Sequence, residues 1–214
     1  MGTLSIISGA RSGLGKAVLN ALQERGHTCI AITRSPIDRG FVAQINADLA
    51  QDHDWPAIVG PMLSDLGFSH IAFFDIAAIL PLCAALDEGF EFKIDEAMQV
   101  NVKTPLAIGR ALARIAEERK VPLDVIHISS GAAFRPIAQW GAYCSSKAAA
   151  SMAWRVFQAE NDLVTTHIVD PGVIATDMQA KLRAHRDPNA APQAALRTPD
   201  EAAREVLRQC GMAS

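Results

Sequence analysis

A short apolar run at residues 4–8 passes directly into Gly9-Ala10-Arg11-Ser12-Gly13-Leu14-Gly15. A helical pattern follows over residues 16–25, with Ala17, Val18, Ala21 and Leu22 on one stripe and Gly26 as its stop signal. Glycines at such a junction let the backbone turn tightly and carry the free amides of a helix N-terminus within contact distance of an anion, above all a pyrophosphate. A glycine-rich loop by itself is equally a structural turn. Its place between a strand and a helix, at the opening of an alternating chain, is what favours the nucleotide site.

The alternation continues. Strands are predicted at residues 28–33, in a short segment ending near Asp48, at 71–76, in a run ending at Ser130, and at 165–169. Helices are predicted at 55–66, at 95–119 with a break near Thr104-Pro105, and from Tyr143 to about Asn161. This pattern predicts an α/β fold, a single Rossmann-type doubly wound parallel sheet flanked by helices, forming one domain over residues 1–214. Residues 180–198, rich in Ala, Arg, Asn and Pro, are expected to be a mobile loop over the substrate. Thr198-Pro199-Asp200-Glu201 opens a last helix to Gln209 with a good capping pattern. No seventh strand follows it, so either the sheet ends at six strands or the sequence stops short of the seventh.

A net charge of −3 argues against nucleic acid as a partner. No apolar stretch approaches a membrane span, and the first strand begins too early for a signal peptide. Cys29, Cys83, Cys144 and Cys210 are dispersed, which reads as reduced thiols in a cytoplasmic protein. No metal site is expected; Asp52-His53-Asp54 reads as a helix-start turn.

Tyr143 precedes Lys147 by four residues and follows Ser130 by thirteen. On a helix the first pair shares a face, and an ammonium beside a phenol favours phenolate, drawing a pKa near ~10 toward the working range of a general acid. Ser130, at a strand end, has a hydroxyl that can meet the same substrate atom. Strand two ends in Thr33-Arg34-Ser35, where an acidic residue would accept from a ribose 2′-hydroxyl and repel a 2′-phosphate. Arg34 and Arg11 instead suit a phosphate, unless both are ordinary surface arginines.

Ser8-Gly9-x-x-x-Gly13-x-Gly15, Asn101, Ser130, Tyr143-x-x-x-Lys147 and Pro171-Gly172-x-x-x-Thr176, in this order, resemble the short-chain dehydrogenase/reductase family over most of the chain. The Ser-Gly-Ala-Arg-Ser opening and the short C-terminal section are similar to its sepiapterin reductase and benzil reductase branch. The resemblance implies an NADPH-dependent carbonyl reductase acting on a small ketone or alcohol, with Asn101, Ser130, Tyr143 and Lys147 as catalytic residues. It implies cofactor contacts from Gly9, Arg11, Ser12, Gly13, Leu14, Gly15, Arg34, Asp48, Leu49, Ala77, Tyr143, Lys147, Pro171, Gly172, Ile174 and Thr176. NADP(H) is the expected cofactor and NAD(H) the alternative. In this frame Lys147 also holds the nicotinamide ribose, and Asn101, at a local bulge in the long helix, uses side chain and backbone to hold a water behind the lysine.

One departure stands out. Where the family has Asn-Asn-Ala-Gly, this chain has Asp75-Ile76-Ala77-Ala78, and Asp75 is expected to brace neighbouring backbone amides. On the substrate side, Leu80, Phe134, Trp140 and Met178 either line an apolar pocket or are ordinary core. Lys181, Arg183, Arg186 and Arg197 either meet an anionic substrate or form a solvated loop face. Association through the long helix and the Tyr143 helix would give a homodimer or homotetramer. The alternative function is a catalytically idle NADP(H)-sensing protein on the same fold; the joint presence of Asn101, Ser130, Tyr143 and Lys147 favours the enzyme.

Overall fold

The structure, a computed structural model, describes residues 2–37, 43–184 and 195–212. Six parallel strands, β1 (Gly2–Ser8), β2 (Thr28–Thr33), β3 (Ala43–Asn46), β4 (Phe68–Asp75), β5 (Leu123–Ile128) and β6 (Val164–Val169), lie in the order β3-β2-β1-β4-β5-β6. Among the described residues seven α-helices connect or flank them: α1 (Gly13–Glu24), α2 (Trp55–Leu63), α3 (Phe90–Met98), α4 (Thr104–Arg119), α5 (Gly141–Ala159), α6 (Asp177–Arg183) and α7 (Pro199–Gln209).

Both faces of the sheet are covered, which is why its strands read as continuous apolar runs. Side chains alternate between faces, so neighbours in sequence enter different cores. Ile6, Phe73 and Val125 pack with Trp154 of α5 and Leu112 of α4, whereas Ile7, Phe74 and Ile126 pack with Leu19 and Leu22 of α1 and Val206 and Leu207 of α7. The strand order reverses between β1 and β4, and the crevice beyond the C-terminal ends of those strands is where such sheets bind ligands.

Three expectations are corrected. The helix over 95–119 is not broken by Pro105: α3 runs into a π-helical turn, Gln99–Lys103, and α4 begins immediately after it, placing Pro105 in a first turn that needs no amide from it. Residues 180–183 are helical, because the Thr176 hydroxyl accepts from the Gln179 amide and caps α6. Arg197 is tied to the chain after β6 through Arg197 N–Val173 O and Ala175 N–Arg197 O, both 2.9 Å. Residues 185–194 of the expected loop lie outside the described residues. The predicted cap of α7 is present as a full capping box between Thr198 and Glu201. Among the described residues no helix is long and apolar enough to cross a membrane, and the four cysteines are free thiols.

At the opposite edge of the strands from the crevice, Asp124 lies 3.1 Å from His70 Nε2 and 3.7 Å from His167 Nε2. Partial burial pushes this carboxyl up, but the adjoining imidazoles of His167 and His70 outweigh it and hold Asp124 well below the usual carboxylate range. A depressed folded-state value contributes stability that is present above the unfolded value near ~4 and lost as pH falls through the folded one. Urea unfolding should therefore show stability falling below about pH 4, and Asp124→Asn should flatten that fall. Equal slopes for the two proteins would refute the assignment.

Candidate active site

The crevice is built first by Ser8 and the glycines. The Ser8 hydroxyl donates to Phe74 O and accepts from the amides of Ile76 and Ala77, both at 3.0 Å, tying the end of β1 to the exit of β4. Gly9, at φ +71°, brings its Cα so close that a Cβ there would lie 3.1 Å from the Ala77 backbone. A Cβ on Gly15 would stand 2.3 Å from Gly9 O, so the loop closes on its own backbone. Ser12 flanks α1 without a side-chain cap. The first amides of α1 thus face a tight cradle with no side chain between them and an anion. These residues fit the pyrophosphate of a dinucleotide.

Arg11 Nη1 donates to the Ser35 hydroxyl, which joins the glycine loop to the end of β2 beside the exposed Arg34. Asp48 is exposed just beyond β3, and its Oδ1 accepts from Ala50 N at 3.1 Å. Leu49 is buried, and its carbonyl accepts from Thr104 Oγ1 at 2.8 Å. From the other side of the sheet, Gly172, at φ +78°, turns the chain after β6 with its amide on Asp170 Oδ1. Thr176 then abuts the loop: a Cβ on Gly13 would meet its Cγ2 at 3.0 Å. A cleft of about 430 Å³ lies between these two segments, lined by Gly13, Thr176, Asp177, Gln179, Arg183 and Leu196.

Ser130 follows β5 and opens a short 3₁₀ turn, Gly131–Ala133, its hydroxyl accepting from Ala132 N at 3.2 Å. Tyr143 stands in the first turn of α5 with its ring edge-on to Trp140, centroids 5.7 Å apart. Burial pushes the Tyr143 phenol up to about 12; a hydrogen bond with Ser130 lowers it, and the charges of Asp170 and Cys144 add to the rise. Lys147 is buried on the same face of α5, but its Nζ donates to Ile128 O at 2.7 Å and lies 5.9 Å from the Tyr143 ring centroid. The expected depression of the tyrosine by this lysine is therefore corrected here. Desolvation dominates the phenol, and one of the three donors of the ammonium is engaged by β5. Burial also lowers Lys147 below the ordinary lysine value, with the Asp75 charge acting in the opposite sense.

Asn101 lies in the π-helical turn, whose widened backbone is the expected bulge. Its side chain makes three hydrogen bonds. Oδ1 accepts from Ile79 N, and Nδ2 donates to Ile79 O and Ser146 Oγ, each at 2.9 Å. Ser146 in turn donates to Tyr143 O. The side chain therefore fixes the segment after β4 against α5 with both of its Nδ2 donors used, leaving the second lone pair of Oδ1 and the backbone for the expected water behind the lysine. Asp75 is also corrected: it accepts from His127 Nδ1 at 2.7 Å and Trp154 Nε1 at 3.2 Å rather than from backbone amides, because alternation on β4 turns it toward α5. Ser8 does the backbone bracing instead.

On the substrate side, Leu80, Trp140, Tyr143, Met178 and Leu182 form one apolar cluster. Phe134 stands apart from it and is 68% exposed, so it belongs to no core. Lys181 and Arg183 are exposed on α6, whereas Arg197 Nη1 donates to Pro171 O. Arg186 lies outside the described residues.

The profile of the short chain dehydrogenase family matches residues 4–187. The chain belongs to that family. Benzil reductase ((S)-benzoin forming) of Bacillus subtilis is 29% identical over 189 residues, covering 84% of this chain and 78% of the relative. The crystal structure of the KRED1-Pglu enzyme superposes with a TM-score of 0.83 at 22% identity, over 97% of this chain and 95% of that one. That of 4-hydroxyisoleucine dehydrogenase complexed with NADH gives 0.79 at 18% identity, over 96% and 90%. These last two likenesses establish the fold.

Sequence reasoning missed several residues of this short-chain dehydrogenase. Ser8 was visible as a polar end to an apolar strand, and Ser146 as a hydroxyl three residues after Tyr143. His127 was visible as the one ionisable residue inside Val125–Ile128, yet its partner Asp75 is 52 positions away. Nothing local signals Ser35 as the partner of Arg11.

Proposed function

We propose that the protein is an NADPH-dependent carbonyl reductase working on a small ketone, with Tyr143 as its general acid. The observation carrying this reading is convergence: the glycine cradle and the Ser130–Tyr143–Lys147 group meet at the C-terminal ends of β1, β4 and β5. Bound in that cradle, NADPH supplies the hydride for the carbonyl carbon. Gly9, Ser12, Gly13, Leu14 and Gly15 would hold its pyrophosphate, Asp48, Leu49 and Ala77 its adenosine end, and Pro171, Gly172, Ile174 and Thr176 its carboxamide. Arg34 and Arg11, with no acidic residue at the end of β2, support NADPH over NADH.

The buried phenol of Tyr143 is held protonated, which stocks the site with the acid that a reduction needs. Its proton passes to the carbonyl oxygen. The Ser130 hydroxyl donates to the same oxygen and orients it, a role worth on the order of 10²-fold. Lys147 stands behind the tyrosine to hold the nicotinamide ribose. An idle NADP(H) sensor would need none of this proton-transfer group. The apolar cluster around Trp140 supports a small or flat, partly aromatic ketone, in keeping with the name of the Bacillus subtilis relative. The exposed Met152 and Val156 on α5 support self-association through that helix.

Consumption of NADPH, beside NADH, against diketones, quinones, aromatic ketones and pteridine carbonyls tests the reading. Turnover with NADPH on at least one class is expected; silence across the panel with NADPH still bound would favour the sensor. Arg34→Asp should lower the NADPH-to-NADH preference roughly tenfold or more, since it removes a charge-assisted contact and adds repulsion. An unchanged ratio would mean the phosphate is held elsewhere.

A further inference from the structure

The end of β4 buries a carboxylate that the proposed chemistry does not use. Asp75 is 2% exposed, and both donors on its Oδ2 are side chains, His127 Nδ1 and Trp154 Nε1. His127 is completely buried and its Nε2 has no partner among the described residues. An imidazolium would bury a second N–H with none of these residues to receive it, whereas a neutral ring protonated on Nδ1 leaves only an acceptor unpaired. Asp75 therefore takes two neutral donors and keeps its charge uncompensated by either. A buried charge of this kind calls for a counter-charge.

The neighbouring buried cation is Lys147, 3% exposed. It lies seven residues, two helical turns, before Trp154 on the same face of α5. Its Nζ bonds Ile128 O, the carbonyl next in chain to His127, which pairs in register with Asp75. We propose that Asp75 is a positioning residue whose buried carboxylate is the counter-charge that keeps the Lys147 ammonium charged behind Tyr143. The other groups facing this layer are the neutral amide of Asn101 from the π-helical turn and Ser129 and Ser151, bonded to each other; Asp170, after β6, bears on Tyr143. The direction in which Asp75 moves the lysine agrees with the geometry. The catalytic consequence rests on the reductase reading, but the charge pair does not.

Asp75→Asn keeps one oxygen to accept from both donors and removes the charge, with an amide NH2 in place of the other oxygen. In protein carrying 13C-labelled lysine, with the Lys147 resonance identified by its loss in Lys147→Met, the Lys147 midpoint should fall by about one pH unit or more in Asp75→Asn. The basic limb of kcat against pH should move down by the same amount, with the NADPH Kd changed less than about threefold. Equal lysine midpoints in the two proteins would overturn the proposal whether or not either turns over. A shifted midpoint in a protein that reduces no carbonyl would sink the reductase reading alone. As a second measure, urea unfolding of Asp75→Asn, Lys147→Met and the double variant should show the double less destabilised than the sum of the singles, and additivity would count against the pair. If Asp75→Asn alone fails to fold, a double variant that folds supports the pair, and one that also fails overturns it.

Discussion

Tyr143→Phe should lower turnover by about 10²–10⁴-fold, the range that a positioned general acid supplies, while NADPH binding stays near wild type. The substitution removes one oxygen. The ring keeps its edge-on packing with Trp140, and Ser130 keeps its bond from Ala132 N, so the local structure has little reason to change. What disappears is the proton held in readiness by burial. Steady-state kinetics beside a fluorescence titration with NADPH separates the two effects. Retained turnover would mean that another group, or water, delivers the proton.

Gly15→Ala should be costly for both folding and cofactor binding. The added carbon would lie 2.3 Å from Gly9 O, 2.7 Å from Gly9 C and 3.1 Å from Ala10 N, all backbone atoms that cannot swing aside. The loop must open, and Gly9 has little room to retreat, since even a Cβ built on it would lie 3.1 Å from the Ala77 backbone. An overpacked site of this kind costs about 1–3 kcal/mol. A cradle displaced by as little as ~1 Å should lose on the order of 10² in NADPH affinity or turnover. Denaturant unfolding and NADPH titration check the two halves, and wild-type affinity in Gly15→Ala would show that the loop does not carry the pyrophosphate.

The contrast between what was and was not legible in the sequence follows the range of the interactions. The glycine loop, β2 at Thr28–Thr33 and the capping box of α7 are local patterns, and each lies where the residues predict it. The order of Asn101, Ser130, Tyr143 and Lys147 was equally legible, because it is carried by spacing along the chain. Their environments were not. Whether Lys147 reaches the phenol or Ile128 O depends on how α5 sits on β5, and whether Asp75 meets amides or an imidazole depends on the side to which β4 turns it. Both are decided by packing across 19 to 79 positions of sequence. Helix α6 was misread because composition pointed to a loop, although Thr176 three residues before Gln179 was the cap signal for it. Of the two readings of Phe134 its exposure removes only the core one, which local sequence could not decide.

The most direct test of the central claim follows the hydrogen itself. NADPH deuterated at its transferring position, incubated with the protein and a 1,2-diketone, should deliver the label to the carbinol carbon of the product, read by mass spectrometry, and Tyr143→Phe should suppress that transfer. NADPH bound without any label reaching the product, on this or the other carbonyl classes, would contradict the reductase and leave a binding protein on the same fold.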